Sequence, residues 1–391
     1  MKPSQSPSSL SRRAFLALAG AGCAAAYVGR GAPATEKAVA TPSSASMAFP
    51  EKDWTVAPPA SQGVDPAKLD AAVDNLREAM KGHGGIEEML IVRNGRAIWQ
   101  GASPDLKHGI WSASKSFTST VLGLLIGDGK CTLDTLAKDH VPELAKDYPE
   151  VKLRHFATMT SGYDGEGGTY ALDMLDGSRT PFIPTKPLFL PGTEFRYWDD
   201  AMREFGHVLT RIAGEPLESF FRRRVAEPIG IPASDWGWRR RDTVRGVEIM
   251  DSAGGVDTTA RQLARFGHLF LNRGKWAGKQ LVSAEWVAQA GSVQVPVTTP
   301  WKPYNKRQER IDGRGVYGFN WWVNGVTAKG PRYWPGAPPK TFAALGLFEN
   351  RCYIVPEWNM VVAHTGTDRN RVADSELVWS NFFAKLAEAV A

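Results

Sequence analysis

The sequence predicts an α+β protein in which one antiparallel sheet is built from both ends of the chain, with helices packed on it and an all-helical lobe inserted. Two observations predict this arrangement. Strand patterns lie near residues 88–100 and again at 342–363, and patterns with helical spacing dominate the segment between them. Strands and helices that are segregated in this way are typical of α+β folds rather than of alternating α/β folds.

The first elements follow from local signals. A helix is predicted over 65–81, because apolar residues recur there three and four positions apart. A hairpin is predicted at 88–100, since Asn94-Gly95 supplies two residues that tolerate positive φ between two apolar runs. Further helices are predicted at 112–127, 199–213, 217–225, 259–271 and 375–390, and further strands at 317–323, 342–347, 351–355 and 360–363.

The composition is that of a globular protein, with 43% hydrophobic and 23% charged residues among 391. The formal net charge is +6, but the first 34 residues carry four cations and no acid, so 43 basic and 41 acidic residues remain beyond them. A net charge of +2 disfavours nucleic acid as a partner. Beyond the N-terminal run no apolar stretch is long enough to predict a membrane span.

The N-terminus has the pattern of an export signal. Arg12-Arg13 precede a short apolar run that ends near Val28, and Ala32-Pro33-Ala34 supplies small residues for cleavage. Residues 1–34 are therefore predicted to be a signal peptide of the twin-arginine type, and the protein to be exported, periplasmic or secreted after cleavage.

The rest of the chain divides into a linker and a domain. Residues 35–64 are rich in Ala, Ser and Pro and are predicted to be a linker, and residues 65–391 to form the folded domain. Cys131 and Cys352 are the two cysteines of that domain, and their spacing leaves open whether they pair.

A candidate nucleophile lies where the predicted helix at 112–127 begins. Ser112 would lie in the field of unpaired backbone N–H groups, and Lys115, three residues on, would share its helix face. A buried lysine can act as the base that makes a hydroxyl nucleophilic. The alternative is that Ser112 only caps the helix.

The Ser-x-x-Lys pattern and its neighbours resemble the serine β-lactamase and penicillin-binding family of class C type. Tyr197 takes the tyrosine position of that family's second motif, and Asp199 stands where asparagine is usual. Further matches follow in the family's order: Asp134, Thr158-Met159-Thr160-Ser161-Gly162, Glu227-Pro228-Ile229-Gly230, Gly254-Gly255, Ala264-Arg265-Phe266-Gly267 and Tyr317-Gly318. The resemblance covers about residues 65–391.

The resemblance implies a β-lactamase/transpeptidase-like fold and acyl transfer through a covalent ester of Ser112. It implies that Lys115 and Tyr197 share the base role and that two backbone N–H groups hold the oxyanion. One belongs to Ser112, and the other is expected from the strand near Leu345 and Gly346. No metal or cofactor is expected.

The family's third motif, Lys-Thr-Gly or its His-x-Gly and Trp-x-Gly variants, is not reproduced. Lys340-Thr341-Phe342 lacks the glycine, and Ala344-Leu345-Gly346 lacks the cation. His364-Thr365-Gly366 has the right letters but ends the next strand, so His364 is either a site residue or a satisfied surface histidine. The missing cation and the extra charge of Asp199 both disfavour efficient β-lactamase action.

The sequence therefore predicts an exported serine hydrolase that acts on small ester, amide or peptide substrates. A D-amino-acid peptidase or carboxypeptidase and a β-lactamase are the alternative enzymes of the family. A non-hydrolytic, penicillin-binding-like sensor or binding protein that keeps the fold is the alternative of another functional class. Tryptophans that could rim an apolar site, or simply fill the core, are Trp111, Trp198, Trp236, Trp238 and Trp334.

Overall fold

A computed structural model of the chain describes residues 47–166, 180–303, 308–366 and 372–390. The predicted signal peptide at 1–34 and the linker up to residue 46 lie outside the described residues. The predicted α+β class is confirmed: antiparallel sheets combine with helices on both faces of the largest one.

The helices are α1 Pro66–Ala79, α2 Ser114–Gly127, α3 Leu153–Ala157, α4 Asp199–Ala213, α5 Leu217–Phe221, α6 Ala260–Leu271, α7 Ala284–Ala290 and α8 Ser375–Ala389. The strands are β1 Met89–Arg93, β2 Arg96–Gln100, β3 His108–Gly109, β4 Gly165–Glu166, β5 Thr180–Pro184, β6 Trp236–Trp238, β7 Arg240–Val244, β8 Val247–Met250, β9 Val256–Thr258, β10 Lys275–Trp276, β11 Lys279–Gln280, β12 Trp322–Val323, β13 Phe342–Gly346, β14 Asn350–Val355 and β15 Met360–His364.

Both ends of the chain contribute to the main sheet, as predicted. Its six strands run in the order β12-β13-β14-β15-β1-β2, and every neighbouring pair is antiparallel. The N-terminal hairpin joins the C-terminal strands through β1 and β15, where Met89 lies opposite His364 and Arg93 opposite Met360. The turn of that hairpin is Asn94-Gly95, with φ of 52° and 76°.

The register assigns the two faces of the sheet. Cys352 lies opposite Ala363, and its sulfur faces Gly267 of α6. The next residue, Tyr353, points the other way and packs its ring 5.2 Å from that of Trp379 in α8. Because side chains alternate along a strand, α6 covers one face of the sheet, while α8, packed on α1, covers the other.

The helix that follows the predicted nucleophile is buried on all sides. Phe117 stacks on Phe266 with ring centroids 4.0 Å apart. Two of its buried hydroxyls donate to distant backbone carbonyls: Thr118 to that of Ser252 at 3.0 Å, and Ser116 to that of Asn320 at 2.9 Å. These two long-range hydrogen bonds fix the depth and the rotation of α2 in the core.

The predicted strand at 317–323 is wrong in length. Asn320 has a φ of 57°, the N–H of Gly318 bonds to the carbonyl of Trp321, and Tyr317 pairs with Trp322 in an isolated bridge. The chain thus reverses within this segment, and only Trp322–Val323 joins the sheet. Periodicity could not reveal this reversal, because the turn is itself aromatic and buried.

The described part of the predicted linker, residues 47–64, packs on the domain. Trp54 is 4% exposed and donates from its indole nitrogen to the carbonyl of Arg261 at 3.2 Å, and Val64 is also buried. The Ala- and Pro-rich composition of the segment predicts a linker, but it does not show that Trp54 and Val64 are buried against the domain. Cys131 and Cys352 are both buried and free, so they do not pair. Within the described ranges no helix has the length and apolar character needed to cross a membrane.

Candidate active site

Ser112 lies in a single 3-10 turn, Trp111–Ala113, directly before α2. The α-helix begins at Ser114, two residues later than predicted. Trp111 has a φ of 51°, a left-handed conformation that costs a non-glycine residue of the order of 1 kcal/mol. Ser114, directly after the turn, ties it to β9, because its hydroxyl accepts a hydrogen bond from the N–H of Val256 at 2.9 Å.

Lys115 is buried and surrounded by three oxygen atoms. Its Nζ lies 2.9 Å from Ser112 Oγ, 2.8 Å from the carbonyl oxygen of Ala253 and 2.7 Å from Asp199 Oδ1. An ammonium group donates to all three oxygens. A neutral amine donates to two of them and accepts the Ser112 proton with its lone pair. The same geometry therefore serves Lys115 before and after it takes a proton from Ser112.

Tyr197 and Asp199 come to this site from the N-terminus of α4. Asp199 is the first residue of the helix, and its carboxylate forms the ion pair with Lys115. The Lys115 Nζ lies 4.8 Å from the centroid of the Tyr197 ring. Tyr317 packs edge-on against Tyr197, and burial raises the pKa of the Tyr317 phenol, so that neighbour is uncharged.

The end of β13 forms the opposite side of the site. An ideal β-carbon on Gly346 would lie 2.1 Å from the carbonyl oxygen of Ile110 and 3.1 Å from the backbone nitrogen of Ala113. The strand and the turn that carries Ser112 thus meet backbone to backbone. Of the three triplets weighed from the sequence, Ala344-Leu345-Gly346 is the one that lies against Ser112's turn.

The direction of the Leu345 N–H follows from the strand pairing. The carbonyl of Thr341 accepts the N–H of Asn324 on the outer side of β13. Backbone groups of alternate residues point to the same side of a strand, so Leu345 directs its N–H outward as well. Because β12 pairs only with Phe342 and Ala343, that N–H lies beyond the end of β12.

His364 is not brought to Ser112. It lies opposite Arg351 on the α8 face of the sheet, with its ring 5.7 Å from that of Trp379. Its ring nitrogens lie 2.7 Å from the carbonyl oxygen of Glu349 and 3.1 Å from that of Gly85. Gly346 and the Ser112 turn belong to the α6 face. The alternation of side chains along the strand therefore places His364 on the face away from Ser112. Of the two alternatives predicted for it, the histidine with satisfied hydrogen bonds is the right one, although His364 is buried rather than at the surface.

Aromatic residues flank the site, and Trp111 is the one of the five predicted tryptophans that is among them. Trp236, Trp238 and Trp334 are core residues, each 5% exposed or less, and Trp198 is 3% exposed. Trp111 packs edge-on against Phe348, and Tyr197 stacks near Trp322. The sequence reasoning missed Phe348 and Trp322, although their nearness to β13 was the available signal.

Ala253 is the other residue that sequence reasoning missed. It contributes only a backbone carbonyl, so no side chain identified it. The neighbouring Gly254-Gly255 was the available signal: an ideal β-carbon on Gly255 would lie 2.7 Å from the carbonyl oxygen of Asp251, which shows how tightly this segment folds under Lys115. In the described part of the chain no group of three His, Cys, Asp or Glu side chains is arranged to hold a metal ion.

A half-buried serine bonded to a buried lysine, a tyrosine beside that lysine and a glycine strand edge against the serine turn define a serine hydrolase site. The family model described as Beta-lactamase matches residues 69–379, and the chain belongs to this family. The solved structure of a penicillin-binding protein homolog from Caulobacter crescentus shares the fold, with a TM-score of 0.60, 16% identity and coverage of 84% of this chain and 99% of that one.

Curated proteins of similar sequence include a hydrolase and a β-lactamase. The 6-aminohexanoate-dimer hydrolase of Paenarthrobacter ureafaciens is 25% identical over 308 residues, which cover 68% of this chain and 77% of that protein. The β-lactamase of Pseudomonas fluorescens is 28% identical over 155 residues, 37% of this chain. The match spans 43% of the length of that β-lactamase.

Proposed function

We propose that the protein hydrolyses small esters or amides through an acyl-enzyme on Ser112. The observation that carries the proposal is the contact of 2.9 Å between Lys115 Nζ and Ser112 Oγ, inside a set of three oxygens that suits both protonation states of the lysine. A serine that only caps a helix does not require a buried lysine held against its hydroxyl.

In the acylation step, Ser112 Oγ attacks the acyl carbon of the substrate while Lys115 takes the hydroxyl proton. The N–H groups of Ser112 and Leu345 hold the oxyanion of the tetrahedral intermediate. The bond from the acyl carbon to the leaving oxygen or nitrogen then breaks. Lys115 or Tyr197 returns the proton to that atom, and the alcohol or amine departs.

In the deacylation step, water attacks the acyl carbon and gives its proton to the same pair of residues. The bond between the acyl carbon and Ser112 Oγ breaks, Oγ regains a proton and the carboxylic acid leaves. The similarity to a protein named 6-aminohexanoate-dimer hydrolase supports amides as well as esters as substrates, because an amine and a carboxyl group that are condensed form an amide.

The test is hydrolysis of p-nitrophenyl acetate by the wild type and by Ser112→Ala and Tyr197→Phe variants. We expect Ser112→Ala to abolish turnover and Tyr197→Phe to reduce kcat by at least about 10²-fold, the usual contribution of a positioned proton-transfer group. Full activity of Ser112→Ala would refute the proposal. Labelling of Ser112 without turnover of any ester or amide would favour the sensor.

We also propose that the protein is exported, on the evidence of the twin-arginine pattern within residues 1–34. Expression of the full chain in a bacterium should give a mature form that lacks this segment in the periplasmic or secreted fraction. Mass spectrometry of the N-terminal peptide checks the processing, and substitution of Arg12-Arg13 by two lysines should leave the precursor in the cytoplasm.

A further inference from the structure

The charges around Ser112 are already compensated by one another. Lys115 is 2% exposed in its side chain and its three N–H directions meet Ser112 Oγ, the Ala253 carbonyl and Asp199. The lysine therefore has no donor left for a carboxylate on a substrate. Asp199, 14% exposed in its side chain, keeps a negative charge beside the nucleophile.

Arg203 and Arg239 are two cations near the site within the described part of the chain, and both are in ion pairs. Arg203, on the same helix as Asp199, is buried and lies 3.2 Å from Asp200 Oδ1 and 3.5 Å from Asp251 Oδ1. Arg239 approaches the turn of Trp111 by donating to the carbonyl of Gly254 at 3.0 Å, and it lies 3.4 Å from Asp257 Oδ2.

The end of β13 beside Ser112, Ala344-Leu345-Gly346, carries no charged side chain either. Ala344 lies two residues before Gly346 on the same face, where a cation of the family's third motif would be expected, and it is 1% exposed. The flanking side chains are aromatic: Trp111 with Phe348 on one side and Tyr197 with Trp322 on the other. An anionic group that entered between these aromatic side chains would lose water without gaining a cationic partner from the described residues named above, which is costly.

From these contacts we infer that the site selects uncharged substrates, and that Asp199 is the residue that determines this charge preference. The inference rests on the proposed hydrolase function and specifies its substrate class. Neutral aryl or alkyl esters and amides are accepted, and substrates that carry a carboxylate next to the scissile bond are disfavoured. Removing the Asp199 charge removes its repulsion of a substrate carboxylate and favours anionic substrates.

The test uses two esters of the same shape, 3-acetoxybenzamide and 3-acetoxybenzoate, in which only the charge of the leaving group differs. For the wild type we expect kcat/KM to be at least about 10-fold higher for the amide-bearing ester, the size of a Coulomb effect across a few ångströms of partly screened site. In Asp199→Asn this ratio should fall about 10-fold, whatever happens to the absolute rates.

Asp134→Asn is the matched control, because it changes the net charge by the same amount at a carboxylate that is 58% exposed and paired with Lys152 and Arg154. It should leave the ratio unchanged. Equal rates on both esters, a preference for the benzoate, or the same fall in ratio in both variants would overturn the inference. If the wild type prefers the benzoate, Arg239→Gln should remove that preference.

Binding to Ser112→Ala separates the inference from the proposed function. Calorimetry with 3-hydroxybenzamide and 3-hydroxybenzoate measures the charge preference without turnover. A Ser112→Ala protein that still hydrolyses the esters contradicts the proposed function. A Ser112→Ala protein that binds the benzoate as well as the benzamide contradicts the charge preference alone.

Discussion

Gly346 and Ile110 lie so close together that a β-carbon on the glycine would come within 2.1 Å of the isoleucine carbonyl oxygen. This contact joins the end of β13 to the turn that carries Ser112. It sets the separation between the N–H groups of Ser112 and Leu345, the two donors proposed for the oxyanion. The glycine is thus required by a close approach of two backbones.

We predict that Gly346→Ala reduces kcat by at least about 10²-fold, because the strand must shift away from the Ser112 turn and misplace one oxyanion donor. The measurement is steady-state kinetics on p-nitrophenyl acetate, with a thermal melt to confirm folding. Gly127→Ala is the control, since a β-carbon there meets nothing within 4 Å and should leave kcat unchanged. A folded Gly346→Ala protein with normal kcat would show that β13 does not supply the donor.

The sequence predicted this strand but did not settle which triplet faces the serine. Residues 342–347 were predicted as a strand, and the observed β13 is Phe342–Gly346. The choice among the three triplets depends on the register of β13 with β14 and on the packing of its end against α2. Both are long-range contacts, and local spacing does not encode them.

The ion pair of Lys115 and Asp199 predicts opposite effects of two substitutions on stability. Lys115→Met removes the partner of a carboxylate that is only 14% exposed, which should lower the free energy of unfolding by about 3 kcal/mol and reduce kcat by at least about 10²-fold. Adding Asp199→Asn to Lys115→Met should recover most of the lost stability and none of the activity. Urea unfolding and ester hydrolysis measure the two effects.

A double variant that is no more stable than Lys115→Met would mean that the pair contributes little to stability. A Lys115→Met protein with normal kcat would mean that another group takes the proton of Ser112.

His268 predicts how stability depends on pH. It is fully buried among aromatic rings, its Nε2 donates to the carbonyl of Ala48 at 2.8 Å, and burial lowers its pKa to about 4. The unfolded chain, with an ordinary pKa near 6.5, therefore binds a proton that the folded chain excludes between these two values. The stability that the neutral, buried His268 contributes is therefore fully present above about pH 6.5. It is lost as the pH falls toward 4, because protonation then favours the unfolded chain.

From pH 7 to pH 5 the loss should be about 2 kcal/mol in the free energy of unfolding. We expect His268→Gln, which does not titrate, to be less stable at pH 7 but to lose about 2 kcal/mol less than the wild type over this range. Urea unfolding at both pH values is the measurement. Parallel pH dependences of the two proteins would contradict the account of His268.

The candidate site was predicted from the sequence where the signal is local and was missed where it is not. Ser112 and Lys115 are three residues apart, and the structure brings them into contact. Tyr197 and Asp199 were placed by the resemblance of their segment. His364 was expected at the site as one alternative, but a β-strand turns each successive side chain to the opposite face, and a three-letter motif does not record which face that is.

The central claim is that Ser112 is the nucleophile, and intact-mass spectrometry after treatment with a fluorophosphonate tests it most directly. Ser112 Oγ should displace fluoride from phosphorus, so the wild type should gain the mass of one phosphonyl group, and peptide mapping should locate it on Ser112. Ser112→Ala should gain no mass under the same conditions. An unlabelled wild type, or equal labelling of the two proteins, would contradict the claim.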